Sequence, residues 1–188
     1  MIERDRLLNL LQTLSYERRP VTLACGIESD FYIDCKQTAL HPEGAYLLGK
    51  LMYDECLNIE GLTHSSAVAA GGITLGADPL ATAVSLASFR TLRMPLAAFI
   101  VRKTKKGHGT GAWIEGRKNL PDGSNVILLE DVITTGLSTL SAYDRCMEEN
   151  LNPIGVVAIV DRGLGGIEAL KTKDMVVRTL FTAKDFTS

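Results

Sequence analysis

Between positions 126 and 129 four apolar residues, Val-Ile-Leu-Leu, stand in a row, and Glu130 and Asp131 follow at once. An apolar run this short and unbroken fits a strand covered on both faces, the situation of a parallel sheet wrapped by helices. Val132-Ile133-Thr134-Thr135-Gly136-Leu137-Ser138 then turns the chain toward a helix. In open α/β sheets the ligand crevice lies beyond the carboxyl ends of the strands, and a small-residue turn entering a helix offers backbone N–H groups to a phosphate. The stretch therefore predicts a phosphate cradle with two carboxylates placed to accept from sugar hydroxyls. It is not a Walker A loop, because no Gly-Lys-Ser/Thr follows and acids precede the turn.

The rest of the chain supports a parallel α/β sheet. Leu7, Leu8, Leu11 and Leu14 recur at helical spacing, so residues 2–14 read as an amphipathic helix. Residues 21–23 and 31–34 read as short strands, and this N-terminal part as a hood. Pro42 opens a helix to about Cys56. Residues 67–70 read as a strand, 71–77 as a glycine-bearing loop, and Asp78-Pro79 as the cap and first position of a helix reaching about Arg90. Strands follow at 96–101, 126–129 and 154–160, with a helix over about 138–149. This alternation predicts βαβ units in one domain spanning 1–188, with the hood over about 1–40 and the core over about 60–165.

One connection breaks the rhythm. Residues 102–116 read Arg-Lys-Thr-Lys-Lys-Gly-His-Gly-Thr-Gly-Ala-Trp-Ile-Glu-Gly, basic, rich in glycine and without helical periodicity. Long connections of this kind in compact domains are usually functional. The expectation is a lid carrying Arg102, Lys103, Lys106 and His108, with glycines giving it freedom to move.

Composition narrows the function classes. A formal charge of -2 gives no broad reason to bind nucleic acid, and no apolar stretch approaches the ~20 residues of a bilayer span. The first residues lack the long apolar core of a secretion signal, so a cytoplasmic protein is expected. Cys25, Cys35, Cys56 and Cys146 are widely spaced, which points to reduced, mostly buried thiols rather than a zinc site or disulfide framework.

With these pieces in view, the chain resembles the type I phosphoribosyltransferases, and more closely the orotate phosphoribosyltransferases. The specific motifs are Arg102-Lys103-x-x-Lys106-x-His108-Gly109 and Glu130-Asp131-Val132-Ile133-Thr134-Thr135-Gly136. Thr22-Leu23-Ala24-Cys25-Gly26-x-x-Ser29-x-x-Tyr32-x-Asp34 and Asp161-Arg162 support them. The resemblance implies transfer of a phosphoribosyl group from 5-phosphoribosyl 1-diphosphate (PRPP) to orotate. It further implies Mg²⁺ as cofactor, bridging PRPP oxygens with Glu130 and Asp131 as carboxylates at hand, and a homodimer with shared active sites. By similarity Lys106, His108 and Asp131 are catalytic. Arg102, Lys103, Lys106, His108, Glu130, Asp131 and the run Val132, Ile133, Thr134, Thr135, Gly136, Leu137 and Ser138 meet PRPP, while Thr134, Arg162 and Tyr32 meet orotate. Ser29 is a further hood candidate. The chain departs from some bacterial members in having Ala24 in place of a lysine, no lysine in 71–78, and Glu130 in place of an aspartate.

Two rivals remain at this level: transfer to another base, and a non-catalytic PRPP sensor of the same fold. Arg162 and the hood around Tyr32 match the orotate pattern, and retention of the lid cations favours an enzyme over a sensor.

Overall fold

A computed structural model of the protein describes residues 2–22, 26, 28–105 and 112–187. After α1 (Glu3–Leu14) the chain forms a hairpin of β1 (Tyr16–Thr22) and β2 (Glu28–Ile33), then a short α2 (Lys36–Ala39) and a long α3 (Pro42–Thr63). The alternating part follows: β3 (Ala69–Ile73), α4 (Ala77–Phe89), β4 (Ala97–Val101), β5 (Ile114–Glu115), β6 (Ser124–Ile133), α5 (Leu137–Glu148), β7 (Leu151–Asp161), α6 (Gly166–Lys171), β8 (Val176–Thr182) and α7 (Lys184–Thr187). Six strands make one sheet in the order β5-β4-β3-β6-β7-β8, parallel except for β5, which runs antiparallel to β4.

The unbroken apolar run of β6 has the expected cause. Ile127 and Leu129 point into a core shared with Leu47, Leu48 and Met52 of α3 and Leu80 and Val84 of α4. Val126 and Leu128 point the other way, against Ala142 and Cys146 of α5 and Leu170 of α6. Strands buried on both faces have no solvent side to mark with polar residues. Cys35, Cys56 and Cys146 are free and buried.

Several boundaries differ from the sequence reading. The helix from Pro42 continues past Cys56 to Thr63, because Ile59 is still core and the chain turns only where His64 takes a left-handed φ of 50° and donates to the Glu60 carbonyl. The strand read at 67–70 is instead Ala69–Ile73, so Gly71 and Gly72 belong to the strand and not to a loop. They are glycines because a Cβ would stand 1.9 Å from the Phe99 carbonyl oxygen and 2.1 Å from that of Leu129. Asp78 does not cap α4; Gly76 holds that position, and the Asp78 carboxylate accepts from Thr74 Oγ1 at 2.8 Å. β6 extends four residues past Leu129, carrying both acids within the sheet, since β7 keeps pairing with it as far as Ile133 opposite Asp161. β5, β8 and the short helices α2, α6 and α7 were not expected.

The hood is fastened to the body from below. Phe31 of β2 meets Tyr16 and Phe186 at ring-centroid distances of 5.0 and 5.7 Å. Arg4 of α1 donates to the Leu180 carbonyl and lies over the Phe181 ring. The hairpin thus rests on the C-terminal residues and leans over the ends of β6 and β7.

Candidate active site

Below the hood opens a cleft of about 530 Å³ lined by Arg19, Tyr32, Asp131, Val132, Thr134 and Arg162, among others. β6 delivers Asp131 and Val132, the turn after it Thr134, and the end of β7 Arg162. The register that pairs Ile133 with Asp161 continues as a hydrogen bond from Arg162 N–H to the Ile133 carbonyl at 3.0 Å. The two carboxyl ends are therefore locked side by side. Arg162 then reaches up to the hood, donating from Nη2 to Ser29 Oγ at 2.9 Å and to the Phe31 carbonyl at 2.5 Å, with its guanidinium 5.0 Å from the Phe31 ring centre.

The phosphate turn has the expected form. Gly136, at φ 78°, precedes α5, whose first N–H groups lack intrahelical partners and point out of the helix end. The turn is backed by α6, where a Cβ on Gly166 would stand 2.6 Å from the Thr134 carbonyl oxygen. The loop after β3 approaches from the other side, and a side chain at Gly76 would meet the Asp131 carboxylate at 2.8 Å.

The two acids have different surroundings. Asp131 is half-buried, lines the cleft and accepts from the Val132 N–H at 2.9 Å. Glu130 is only 6% exposed, and its Oε2 accepts from both Ser138 Oγ and Thr139 Oγ1 at 2.8 Å. Its carboxylate thus ties the phosphate turn to the strand. Burial first, and repulsion from Asp131 second, push the Glu130 carboxyl up to about 7.

That shift fixes a stability profile. With a folded pKa above the unfolded one, the folded chain keeps a proton that the unfolded chain has shed, so the contribution is full below about 4.5 and is lost as pH rises through about 7. Glu130→Gln keeps an acceptor for both hydroxyls and escapes the loss. Its melting temperature relative to the parent should therefore rise between about pH 5 and about pH 8, by ~2–4 °C for each kcal/mol recovered. A difference that stays flat with pH would mean that Glu130 ionises as an ordinary glutamate.

Of the other expected site residues, Tyr32, Val132, Thr134 and Arg162 gather with Asp131 in the cleft. Ile133 is core, and Thr135, Leu137 and Ser138 follow along the turn and first helical positions. Arg102 stands elsewhere in this structure: it pairs with Glu115 at 2.8 Å across the β4–β5 step. Lys103 is described at the loop stem, and Lys106 and His108 lie outside the described residues. Arg19 went unnoticed in the sequence. It lies 3.9 Å over the Tyr32 ring and lines the cleft. Only the hairpin register, with Glu17 opposite Tyr32, brings it there. Lys36, at the start of α2, stands 2.6 Å from Asp34; that bond, with the charges of Asp34 and Asp131, raises its pKa against the opposing effect of burial.

A strand that carries an acid pair near its carboxyl end, a glycine turn at the helix start that follows and a hood over both are the frame of a phosphoribosyltransferase, and the phosphoribosyl transferase domain family matches residues 67–187. The chain belongs to this family and, within it, to the orotate phosphoribosyltransferases, which are pentosyltransferases. It is 46% identical to the orotate phosphoribosyltransferase of Sorangium cellulosum over 98% of this chain and 93% of the relative. The crystal structure of the Mycobacterium tuberculosis orotate phosphoribosyltransferase with Fe(III) dicitrate superposes with a TM-score of 0.80 at 34% identity, covering all of both chains. The same enzyme in complex with PRPP gives 0.72 at 29% identity, covering 98% of this chain and 91% of that one.

Proposed function

We propose that the protein joins N1 of orotate to C1 of PRPP, releasing diphosphate and forming orotidine 5′-phosphate for pyrimidine biosynthesis, and that it does so in the cytoplasm. The observation that carries this reading is the convergence of Asp131, Thr134 and Arg162 in one cleft beside the phosphate turn of α5. The whole chain, 1–188, acts as one domain, with the hood as its base-covering part.

Breaking the C1–oxygen bond leaves positive charge on the ribose and added negative charge on diphosphate. Asp131 is assigned to the ribose hydroxyls and to opposing the cationic ring, and the turn 134–138 to the 5′-phosphate through N–H groups and hydroxyls. Glu130 serves the same ligand by holding Ser138 and Thr139. Lys103, Lys106 and His108 of the basic loop are assigned to the departing diphosphate, with Arg102, paired to Glu115, at the root of the loop. Tyr32 and Arg162 are assigned to orotate, with a guanidinium matching its carboxylate.

Among the described residues no three His, Cys, Asp or Glu side chains gather as a metal cage. Of the two acids Asp131 lines the cleft and would hold a Mg²⁺ there, while Glu130 is engaged by Ser138 and Thr139. When bound, the ion would neutralise charge collecting on the diphosphate. An absorbance assay tests the reading: orotate should be consumed only with both PRPP and Mg²⁺ present. Consumption of another base in its place would favour the rival substrate, and binding of PRPP without turnover the sensor.

A homodimer completes the proposal. Phe89, Leu92 and Met94 at the end of α4 are 74%, 109% and 86% exposed, and a second cleft of about 600 Å³ lies next to them between α3 and α4, lined by Tyr46, Tyr53 and Leu86. An apolar surface of this kind in one place suits a second copy. Phe89→Glu should shift the protein to monomers in sedimentation. An unchanged mass would place the interface elsewhere.

A further inference from the structure

The two stems of the basic loop, residues 102–105 and 112–115, converge on the last turn of α5. Arg145 donates from Nη1 to the Arg102 carbonyl at 2.7 Å and from Nη2 to the Lys103 carbonyl at 3.2 Å. Its guanidinium also lies 4.4 Å from the centre of the Trp113 ring, on the opposite stem. Glu149 Oε1 accepts the Trp113 backbone N–H at 2.8 Å, and Glu148 Oε2 accepts its indole N–H at 2.7 Å. Lys105 Nζ stands 3.5 Å from the same Glu148 and 5.2 Å from the same ring. The stems themselves are joined by Arg102 N–H donating to the Trp113 carbonyl at 2.8 Å.

The helix that carries this cluster begins at the phosphate turn. Its 12 residues span about 18 Å at ~1.5 Å each. We infer that Arg145, with Glu148 and Glu149 gathered around Trp113, is a positioning device that fixes both stems of the basic loop to the far end of the phosphate-binding helix. The stems 102–105 and 112–115 are then held at points set relative to the bound 5′-phosphate. An arginine suits the task because its planar fork reaches two carbonyls while its face stacks on an indole, which an ammonium cannot match. The role assigned to the loop rests on the phosphoribosyl-transfer reading; the anchor itself rests on the contacts above.

Trp113 is the only tryptophan in the chain, so its emission reports the anchor directly. In Arg145→Met the unliganded protein should show a red-shifted emission and easier quenching by acrylamide. Displacing catalytic groups by about 1 Å costs up to ~10²-fold in rate, so kcat should fall about 10- to 100-fold. The KM for orotate, which is bound elsewhere, should change less than about two-fold. Arg145→Lys keeps the charge but neither the planar stack nor the pair of carbonyl bonds, and should fall between the two. An Arg145→Met enzyme with the parent kcat overturns the inference, whatever its fluorescence. So does a loss that raises the orotate KM in parallel and tracks a lowered melting temperature. A parent protein without transfer activity would sink the functional reading instead, and the fluorescence comparison would still decide whether the anchor exists.

Discussion

Asp131→Asn should lower kcat by about 10²- to 10³-fold, the loss expected when one preorganised charge facing the transition state is removed. Asparagine keeps the shape and one acceptor oxygen, so contact with a ribose hydroxyl survives in part and only the charge opposing the ribose cation goes. The substitution should not unfold the protein. Asp131 repels Glu130, so its neutralisation relieves a burdened neighbour, and the melting temperature should hold or rise. Steady-state kinetics beside a thermal melt check both halves. A kcat within about three-fold of the parent would remove Asp131 from the chemistry.

Arg162→Ala should raise the KM for orotate by about 10- to 100-fold, the equivalent of ~1.5–3 kcal/mol for a charge-assisted contact. Arg162 also holds Ser29 and Phe31 of the hood, so the alanine variant loosens the roof of the cleft as well as the base contact. Arg162→Lys separates the two effects, since an ammonium keeps the charge and can still donate from one nitrogen to Ser29 and the Phe31 carbonyl, as Nη2 does here, but lacks the planar fork that meets a carboxylate in two bonds. If the base contact dominates, the lysine variant recovers part of the orotate affinity and the KM for PRPP barely moves in either. Equal weakening of both substrates in both variants would make Arg162 a fastening for the hood alone.

Much of this arrangement was legible because sequence pattern and physical constraint coincide. The apolar run of β6 announced a strand buried on both faces, and the small residues after it announced a helix start. What escaped the sequence is what pairing decides. Nothing local says that the sheet continues past Leu129, because Glu130 and Asp131 look like a strand end; the partner β7 holds them in the ladder. Arg19 is three residues from the nearest motif, and only the hairpin register carries it over Tyr32. Arg102 looked like one more lid cation, and its ion pair with Glu115 depends on β5, two residues too short to show any period. Glu130 was read as a twin of Asp131, yet burial and the hydroxyls of Ser138 and Thr139 separate their surroundings.

β5 also bears on what the basic loop does when no substrate is near. Its two residues pair antiparallel with Ile100 and Val101 and so cover the outer side of β4, which would otherwise be the last strand of the sheet. An uncovered strand presents a row of unpaired N–H and C=O groups that recruits other chains. Cutting out residues 102–116 would therefore remove more than cations: it would bare Ile100 and Val101 as well, lengthening the open edge of β4, and favour aggregation. The loop doubles as a guard against self-association through strands, and its catalytic share is measurable by single replacements along it, not by its deletion.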